Sequence, residues 1–461
     1  MQNFDVVVIG AGPGGYVAAI RASQLGKKVA VVEKEHLGGV CLNWGCIPTK
    51  ALLRSAEVLH LINHANDFGI SVSNVKFDLG KMVERSRKIA AQLSTGIKGL
   101  LAKNKVTVIN GEASFENSTT LKIQGEKSET IKAKNIIIAT GARARMLPGV
   151  DSHPRIWTAK QAMTPEFTPK SLLVIGSGAI GIEFASFYRT LGVEVTVVEM
   201  QPKILPNEDN EISILAQKQF EKSGIKFHLG ATSKLDPNKD GVNVIISKDG
   251  KDIEKTKVDA VIVAIGILGN TENLGLEKTK IKVEKGQIIT NGWCETAEKG
   301  VYAIGDVAGA PWLAHKASHE AILAAEHIAE SKNLHPMNKT NIPGCTYSHP
   351  QIASIGLTEE KAKAEGKTLK IGRFPYRANG KAIALGDTEG LIKTIFDAKT
   401  GELLGAHMIG AEVTELIQGF AIGKTLETTE EELMHTIFPH PTLSEMMHES
   451  TLDAYGRVIH Y

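Results

Sequence analysis

The pattern of apolar and polar residues along the chain predicts buried strands that alternate with helices. Short runs rich in β-branched residues, such as residues 6–9 and 29–32, are typical of strands that are buried on both faces. About a dozen residues separate these two runs, with small and apolar side chains at helical spacing. This order of strand, helix and strand predicts an α/β fold with parallel sheets.

The same pattern occurs twice, because residues 8–34 are repeated as residues 174–200. Each copy has a strand, the spacing Gly-x-Gly-x-x-Gly, a helical stretch, Leu-Gly, a second strand and an acidic residue. The glycines of the two copies are Gly10, Gly12, Gly15, Gly176, Gly178 and Gly181, and the acids are Glu33 and Glu199.

This arrangement has a known physical use. The first glycine permits a tight turn, the second lets the backbone approach a pyrophosphate, and the third lets the helix pack on the strand. The helix N-terminus offers N–H groups to the phosphates, and the acid accepts hydrogen bonds from ribose hydroxyls. Two complete copies therefore predict two Rossmann-like dinucleotide-binding domains.

The second acid also indicates which nicotinamide cofactor is bound. A carboxylate repels the 2′-phosphate of NADP, and NADP sites place an arginine nearby. Glu199 is followed by Met200, Gln201, Pro202 and Lys203, without an arginine. We therefore expect NAD in the second repeat.

Composition excludes several classes of protein. The chain has 461 residues, which suggests about three domains. Its 4 cysteines are too few for a disulfide-stapled secreted scaffold, and a net charge of +2 gives no footprint for nucleic acid. No apolar run is long enough for a membrane span. The first residues lead directly into a strand with no targeting segment, so we expect a cytoplasmic protein.

Two cysteines lie close together between the repeats, in Gly38-Gly-Val-Cys41-Leu-Asn-Trp-Gly-Cys46-Ile-Pro-Thr-Lys50. Such a pair in an intracellular protein is usually catalytic or metal-binding. A zinc site would need two further ligands, but Cys294 and Cys345 are isolated, so we expect no metal. Two unrelated core thiols are the other alternative.

A redox disulfide would require a distorted backbone between the two cysteines. Residues five apart on a regular helix are separated by about 7.5 Å in rise alone, above the usual Cα separation of a disulfide. Gly45 and Pro48 suit a distortion, and the apolar spacing of residues 51–61 predicts a helix that starts near Pro48. Cys46 would then lie at a helix N-terminus, where a thiolate is stabilised.

These residues resemble the pyridine nucleotide–disulfide oxidoreductase family, and in particular its members that oxidise protein-bound dihydrolipoamide. The resemblance covers essentially the whole chain. Besides the cysteine segment, it rests on residues 136–142, 261–266, 301–306, 312–316 and 440–445, which follow in the order of the family. Two segments depart from the family: Phe438-Pro439 precede His440 where many members have histidine and alanine, and Ile267-Leu268 follow Gly266 where many have arginine.

The resemblance implies roles at the matching positions. Cys46 would form the thiolate against the flavin, Cys41 would exchange with the lipoyl disulfide, and Lys50 and Glu183 would pair beside the flavin. FAD would bind at the first repeat and NAD at the second. The implied FAD contacts, beside the glycines and Glu33, are Lys34, Gly39, Lys50, Ala113, Thr140, Gly141, Asp306, Leu313, Ala314 and His315, and Gly266 would lie near NAD.

His440 and Glu445 are the candidate acid–base pair. Thiol–disulfide exchange needs a base that takes a proton near neutral pH, and a carboxylate can fix the tautomer of a histidine. His440 alone would carry little weight among 15 histidines, so its assignment rests on the resemblance. In the family this histidine comes from the other subunit, which implies a homodimer.

The predicted domains are a FAD-binding domain at residues 1–145, a NAD-binding domain at 146–272, a central segment at 273–341 and a C-terminal α+β dimerisation domain at 342–461. Residues 148–151 would form the crossing between the first two domains. The predicted function is oxidation of dihydrolipoamide with reduction of NAD. Its partner would be a lipoylated acyltransferase or a lipoyl carrier protein of a 2-oxoacid dehydrogenase or glycine-cleavage complex. A related NAD(P)H-dependent disulfide reductase, or a flavoprotein that acts as a binding or redox-sensing subunit, is the alternative.

Overall fold

The fold is taken from a computed structural model that describes residues 2–126, 128–150 and 153–461. Asp151, the last residue of the predicted crossing between domains, lies outside these residues. The chain forms two compact units. The first comprises Met1–Leu52, Leu79–Arg145 and Gly266–Met337, and the second comprises Leu53–Asp78, Met146–Ile265 and Asn338–Tyr461. The domain limits predicted above stay a prediction.

Helices of 5 to 25 residues are distributed along the described part of the chain. In chain order they are α1 Pro13–Gln24, α2 Gly39–Trp44, α3 Cys46–Asn63, α4 Leu79–Lys103, α5 Ala159–Met163, α6 Ala179–Thr190, α7 Asn210–Lys222, α8 Ala314–Ile328, α9 Glu359–Ala364, α10 Gly380–Leu385, α11 Val413–Thr425, α12 Glu430–His435 and α13 Glu445–Ala454. Short 3₁₀ helices lie at Ala65–Phe68, Leu276–Lys278, Gly305–Ala308, Lys339–Asn341 and Tyr376–Ala378.

The strands are short and are rich in β-branched residues in the parallel sheets. In chain order they are β1 Gln2–Ile9, β2 Val29–Glu33, β3 Thr107–Asn110, β4 Glu112–Asn117, β5 Thr120–Gln124, β6 Glu129–Ile138, β7 Ala142–Ala144, β8 Ile156–Trp157, β9 Ser171–Ile175, β10 Glu194–Glu199, β11 Lys226–Leu229, β12 Ala231–Asn238, β13 Gly241–Lys248, β14 Lys251–Val258, β15 Ala260–Val263, β16 Ile267–Gly269, β17 Val283–Glu284, β18 Gln287–Ile288, β19 Val301–Ala303, β20 Gly344–Thr346, β21 Gln351–Gly356, β22 Leu369–Pro375, β23 Leu391–Asp397 and β24 Leu403–Gly410.

The first unit is built on a sheet of order β3-β2-β1-β6-β5-β4, with β19 paired to β6. Strands β3, β2, β1, β6 and β19 pair with one another in parallel, whereas β5 pairs with both β6 and β4 in antiparallel fashion. Since parallel strands end at the same edge of a sheet, the residues that follow β1, β6 and β19 meet at one edge. This edge is where a doubly wound sheet binds its ligand.

Both faces of this sheet are buried, which explains its nearly continuous apolar strands. Along β1, Val6 and Val8 join one core cluster, while Val7 and Ile9 join the cluster on the other face. The first cluster contains alanines of α1 and α8, whose small side chains let the two helices approach closely. The predicted buried parallel strands are confirmed in this sheet.

The second unit has a parallel sheet of order β11-β10-β9-β15-β8 and an antiparallel sheet β12-β13-β14. Its C-terminal part has an antiparallel sheet of order β20-β21-β24-β23-β22, which packs with α11 and α13. Phe374, Phe396 and Phe420 are fully buried in the core of this part. The predicted fold class, with two Rossmann-like sheets and a C-terminal α+β region, is confirmed.

Among the described residues, no helix combines the length and the hydropathy that crossing a membrane would require.

Candidate active site

The first glycine-rich turn follows β1 and opens α1. Gly10 has φ +99°, and a Cβ there would lie 2.4 Å from the carbonyl oxygen of Ala139. A Cβ on Gly15 would lie 1.9 Å from the carbonyl oxygen of Gly10, so only glycine lets α1 begin this close to the strand. Gly12 is the N-cap of α1 and has no side-chain cap. The turn therefore presents the N–H groups of the helix N-terminus at the edge where a dinucleotide binds.

The second turn follows β9 and opens α6 with nearly the same geometry. Gly176 has φ +97°, and a Cβ on Gly181 would lie 2.0 Å from the carbonyl oxygen of Gly176. Gly178 is the N-cap of α6, and a Cβ there would meet no heavy atom within 4 Å. This open side of the turn is where a pyrophosphate could approach the backbone.

The two acids end the second strand of each repeat and brace the turn beside them. Glu33 accepts hydrogen bonds from the backbone N–H groups of Ala11, at 2.7 Å, and Glu35, at 2.8 Å. Glu199 accepts from the N–H and the hydroxyl of Ser177, both at 2.8 Å, and from the N–H of Gln201 at 2.8 Å. These bonds place each carboxylate next to its glycine turn, as contact with a ribose requires.

The surroundings of Glu199 fit NAD. Lys203, the first cation after Glu199, donates to the backbone carbonyl of Glu208 at 2.7 Å. Its ammonium is thus directed to the backbone of its own loop. The residue directly after Glu199 is Met200, which is 72% exposed and carries no charge.

The cysteine segment forms a disulfide between Cys41 and Cys46, with Cα atoms 4.8 Å apart. The predicted distortion is present, because α2 ends at Trp44 and Gly45 leaves the helical region with φ −148° and ψ −118°. Helix α3 starts at Cys46, two residues before the predicted start near Pro48. Cys46 therefore lies at the N-terminus of an 18-residue helix, where the helix dipole stabilises a thiolate.

This segment is fastened to the first glycine turn. The N–H of Gly38 donates to the carbonyl of Ala11 at 2.8 Å. Gly39 has φ +59°, and a Cβ there would lie 2.6 Å from the Cα of Gly12. The backbone that carries the two cysteines thus touches the backbone that would carry a pyrophosphate.

Two polar side chains that we did not predict, Asn43 and Ser94, hold the cysteine segment by hydrogen bonds. Asn43 is buried and donates from Nδ2 to the carbonyls of Leu37, at 3.0 Å, and Gly39, at 2.9 Å. Ser94 of α4 donates to Asn43 Oδ1 at 2.9 Å. The only signal in the sequence was a polar residue between the two cysteines, which a one-dimensional pattern cannot distinguish from an exposed position.

The remaining FAD candidates of the first unit lie near the same edge of its sheet. Thr140 and Gly141 follow β6, and the Thr140 hydroxyl donates to the carbonyl of Asn270 at 2.7 Å. Asp306 follows β19, Leu313 is the N-cap of α8, and the first turn of α8 contains Ala314 and His315. Ala113 is buried in the core, and Lys34 pairs with Glu112 at 3.1 Å.

Asp306 has the properties expected of a group that holds a cofactor. Burial raises the pKa of its carboxyl, the Lys316 ammonium lowers it, and the result is a pKa above the usual range. Within residues 2–126, 128–150 and 153–461, no hydrogen bond reaches this partly buried carboxyl group. A hydroxyl donor from a ligand would satisfy it, and the ribityl chain of FAD supplies such donors. The residues present therefore fit FAD.

Lys50 and Glu183 belong to different compact units, and their pairing stays a prediction. Lys50 lies on α3, one turn after Cys46. Glu183 lies on α6, is 5% exposed, and accepts a hydrogen bond from the N–H of Tyr347 at 2.9 Å. Gly266 belongs to the first unit, where its carbonyl accepts from the N–H of Arg145 at 2.9 Å, beside the pairing of β7 with β16.

His440 and Glu445 form the predicted side-chain pair. Nδ1 of His440 lies 2.9 Å from Oε1 of Glu445, and the N–H of Thr442 donates to Oε2 at 2.8 Å. Burial raises the pKa of Glu445, but the bonds from Thr442 and His440 outweigh it and hold the pKa below the usual range. Because an ionised carboxylate only accepts, Nδ1 carries the proton and Nε2 is the basic nitrogen.

The pair is exposed on its histidine side, since 79% of the His440 side chain is accessible. Phe438, one of the departures from the family, lies against the C-terminal core with its ring 5.6 Å from that of His448. Its ring is therefore used in packing.

No group of three or more His, Cys, Asp or Glu side chains in the described part of the chain could hold a metal ion.

Comparisons with known proteins agree on one family. Residues 4–321 match the pyridine nucleotide-disulphide oxidoreductase family, and residues 342–451 match its dimerisation domain. The chain is 56% identical to a dihydrolipoyl dehydrogenase of Zymomonas mobilis, with 100% of both chains covered, and 54% identical to one of Rhizobium etli, with 99% of both covered. It is 43% identical to a dihydrolipoyl dehydrogenase of Bacillus subtilis, with 100% of this chain and 99% of the relative covered.

Solved structures show the same fold. LpdA from Mycobacterium tuberculosis superposes with a TM-score of 0.91 at 27% identity, covering 98% of this chain and 99% of LpdA. The HOCl-induced flavoprotein disulfide reductase RclA from Escherichia coli superposes with a TM-score of 0.86 at 26% identity, with 98% and 99% covered. With both dinucleotide turns, the disulfide and the dimerisation domain matched, the chain belongs to the pyridine nucleotide-disulphide oxidoreductase family.

Proposed function

We propose that this chain oxidises protein-bound dihydrolipoyl groups to the lipoyl disulfide and reduces NAD⁺ to NADH. FAD and NAD are the cofactors of the family. Curated relatives with 40–56% identity over essentially the whole chain are dihydrolipoyl dehydrogenases, which supports this substrate over other disulfides.

The observation that carries the proposal is the contact of the Cys41–Cys46 segment with the first glycine turn. Gly38 bonds to Ala11, and Gly39 packs against Gly12. A dithiol on this segment lies beside the backbone that would hold the FAD pyrophosphate. The dithiol and the bound FAD would thus share one compact unit, which supports two-electron exchange between the dithiol and the flavin.

The dihydrolipoyl group would reduce the Cys41–Cys46 disulfide in two steps. One thiolate of the dihydrolipoyl group attacks Sγ of Cys41, the Cys41–Cys46 bond breaks, and Cys46 leaves as a thiolate. The second lipoyl thiol then attacks the mixed disulfide and releases Cys41, so that lipoyl is oxidised and the protein holds two reduced cysteines. The N-terminus of α3 stabilises the departing Cys46 thiolate, which makes Cys41 the favoured point of attack.

His440 would take the thiol protons in this exchange. Glu445 holds the proton on Nδ1, which leaves Nε2 able to accept one. Glu445 is the less exposed partner, with 29% of its side chain accessible, while the ring of His440 is accessible to a substrate. The proposal includes a homodimer in which His440 of each copy serves the disulfide of the other, and the dimerisation-domain match supports a dimer.

The cofactors would be held by the two edges already described. FAD would rest on the first turn with Glu33, Lys50, Thr140, Asp306 and the N-terminus of α8, and NAD on the second turn with Glu199. Bound FAD supplies the transfer of an electron pair from the reduced cysteines to NAD⁺.

The partner in this proposal is a lipoylated acyltransferase or lipoyl carrier protein of a 2-oxoacid dehydrogenase or glycine-cleavage complex. A cytoplasmic location is part of the proposal.

The test is a spectrophotometric assay on the purified protein. It should be yellow and should form NADH from dihydrolipoamide and NAD⁺, with NADP⁺ at least about tenfold less effective because Glu199 opposes a 2′-phosphate. His440→Gln should lower turnover by about 10²-fold or more while FAD stays bound. Glu445→Gln, as the matched variant, should lower turnover less, because it removes only the partner of Nδ1. A yellow protein that reduces glutathione disulfide with NADPH, and ignores dihydrolipoamide, would support the alternative disulfide reductase.

A further inference from the structure

Two charged side chains with almost no access to water hold the turn that carries Asp306. The turn consists of the 3₁₀ helix Gly305–Ala308 and the following Gly309. Lys316 and Glu320 lie on α8, four residues apart, with side chains that are 0% and 5% exposed. Nothing in the mechanism above uses either of them.

Lys316 uses its ammonium group on three acceptors. Nζ donates to the carbonyl of Gly309 at 2.7 Å, to the carbonyl of Gly305 at 3.1 Å, and to Oε1 of Glu320 at 3.1 Å. An ammonium has three N–H donors, so this set satisfies it completely. The side chain thereby ties both ends of the turn to α8.

Glu320 closes the arrangement from the other side. Its Oε2 accepts a hydrogen bond from the N–H of Gly305 at 2.7 Å, while Oε1 faces Lys316. Gly305 thus has its N–H bound by Glu320 and its carbonyl bound by Lys316. Gly305 and Gly309 have φ of +73° and +101°, so the backbone reverses at the two residues that the pair grips.

General stabilisation is a poor explanation for such a pair. Removing two charges from water is costly, and apolar side chains of similar volume often stabilise a core at least as well. A more exposed ion pair, between Arg21 of α1 and Glu326 of α8, joins these helices with side chains that are 36% and 21% exposed. The buried pair therefore calls for a purpose beyond packing.

Asp306, which lies inside the turn, indicates what the pair does. All polar backbone groups that the pair contacts are satisfied by it, while the Asp306 carboxyl receives no hydrogen bond from the described residues. Burial and the Glu320 carboxylate raise the pKa of this carboxyl, and the ammonium of Lys316 lowers it, so Lys316 partly offsets the cost of the charged form, which is the stronger acceptor.

We propose that Lys316 and Glu320 are positioning residues that hold the Gly305–Gly309 turn so that the Asp306 carboxylate accepts a hydrogen bond from a hydroxyl of FAD. This inference rests on the proposed function, because it takes Asp306 as a ligand of FAD. The buried ion pair would then contribute to FAD retention through the position of Asp306.

The decisive variant is the double substitution K316M/E320Q. It removes both charges together, so neither is left buried without its partner, and Gln can still accept from the N–H of Gly305. FAD release from the diluted holoenzyme, followed as the rise in flavin fluorescence, should be about tenfold faster than in the unchanged protein. Unfolding in urea should be followed on the same samples.

Lys424→Met is the matched control. Lys424 is a half-buried lysine of the second unit whose Nζ donates to the carbonyl of Leu403 at 2.8 Å. We expect this variant to be less stable in urea and to release FAD at the unchanged rate. Faster release from Lys424→Met at an equal loss of stability would overturn the proposal, since FAD retention would then only report stability.

Asp306→Asn distinguishes the role of the ion pair from the role of Asp306 itself. If the pair acts through Asp306, adding K316M/E320Q to Asp306→Asn should speed FAD release no further than Asp306→Asn alone. Fast release from Asp306→Asn together with unchanged release from K316M/E320Q overturns the role of the pair and leaves the proposed function intact. Unchanged release from Asp306→Asn overturns the assignment of Asp306 itself, and a protein purified without any FAD overturns the proposed function.

Discussion

The two glycine turns have nearly the same backbone geometry, but the segments that follow them in the chain are different. Gly10 and Gly176 have φ values of +99° and +97°, and a Cβ on either would lie 2.4 Å from a carbonyl oxygen of the neighbouring strand's loop. A backbone N–H after the second strand returns to each turn, from Gly38 to Ala11 at 2.8 Å and from Leu205 to Ser177 at 3.0 Å. We call each glycine turn, with its returning hydrogen bond and its acid, a dinucleotide frame, and its geometry is thus the same in both units.

The segments after these returning bonds are different. In the first repeat the chain continues into α2, Gly45 and α3, which carry the disulfide. In the second repeat it continues to Asp209, which is fully buried and pairs with Lys393 at 2.8 Å. Lys393 also contacts Glu359 at 2.7 Å and Glu211 at 3.1 Å. The segment after the first turn thus carries a redox group, and the segment after the second turn carries a residue of a buried ion cluster. The two units differ in these segments rather than in their turns.

The largest effect should come from breaking the redox group of the first repeat. Cys46→Ser leaves no disulfide to be reduced, so NADH formation from dihydrolipoamide should fall by about 10³-fold or more. FAD content and the unfolding midpoint in urea should stay near those of the unchanged protein. Cys345→Ser is the control, because this cysteine lies outside the disulfide and its replacement should preserve turnover.

The corresponding change in the second unit should lower the free energy of unfolding and leave the redox reaction at the disulfide unaffected. Lys393→Met leaves the fully buried Asp209 without its cation, which should cost about 3–5 kcal/mol of unfolding free energy in urea. Lys222→Met, which removes an exposed pair with Glu389, should cost less than about 1 kcal/mol. Equal losses in the two variants would contradict the assignment of stability to the buried cluster.

The frames could be predicted from the sequence because their signals are local. Strand, glycines, helix and acid follow one another within a few tens of residues in each copy, so spacing alone places Gly10 and Glu33 on the same turn. The cysteine pair was likewise readable, and the break at Gly45 follows from the limit on Cα separation in a disulfide. The start of α3 was two residues off because a proline fits within the first turn of a helix as well as at its start.

The supports of these sites could not be predicted, for reasons of distance and burial. Asn43 and Ser94 are 51 residues apart, and Asp209 and Lys393 are 184 apart, so only tertiary packing brings each pair together. Lys316 and Glu320 are adjacent on one helix and visible in the sequence. Their spacing in the sequence is typical of a solvent-exposed i,i+4 ion pair, and only the packing of α8 shows that both side chains are buried.

Two glycines, one that packs against the first turn and one within the second, offer a sharper test of the two turns. A Cβ on Gly39 would lie 2.6 Å from Gly12 at positive φ, so Gly39→Ala should cost about 1–3 kcal/mol of unfolding free energy and loosen FAD. A Cβ on Gly178 meets nothing within 4 Å, so Gly178→Ala should leave the unfolding free energy nearly unchanged and weaken NADH binding, measured by fluorescence titration. Loss of stability in Gly178→Ala would show that the two turns differ in packing as well as in attachments.

The smallest effect concerns a side-chain hydroxyl that the second turn has and the first turn lacks. Ser177 stands where the first repeat has Ala11, and its buried hydroxyl is a second donor to Oε2 of Glu199. Ser177→Ala leaves the donors from the N–H groups of Ser177 and Gln201, which matches the two donors that Glu33 has from Ala11 and Glu35. Since one hydrogen bond to a charged acceptor is lost, NADH affinity should fall by about two- to tenfold.

The reverse change, Ala11→Ser, tests whether the hydroxyl matters in the frame or only beside NAD. Glu33 already has both oxygens bonded, so the added donor should leave FAD release unchanged within about twofold. If Ala11→Ser slowed FAD release as strongly as Ser177→Ala weakened NADH binding, the hydroxyl would be a general brace for the acid of such a turn. If neither changed, Glu199 would be held well enough by backbone N–H groups alone, and the two turns would be equivalent in function as well as in geometry.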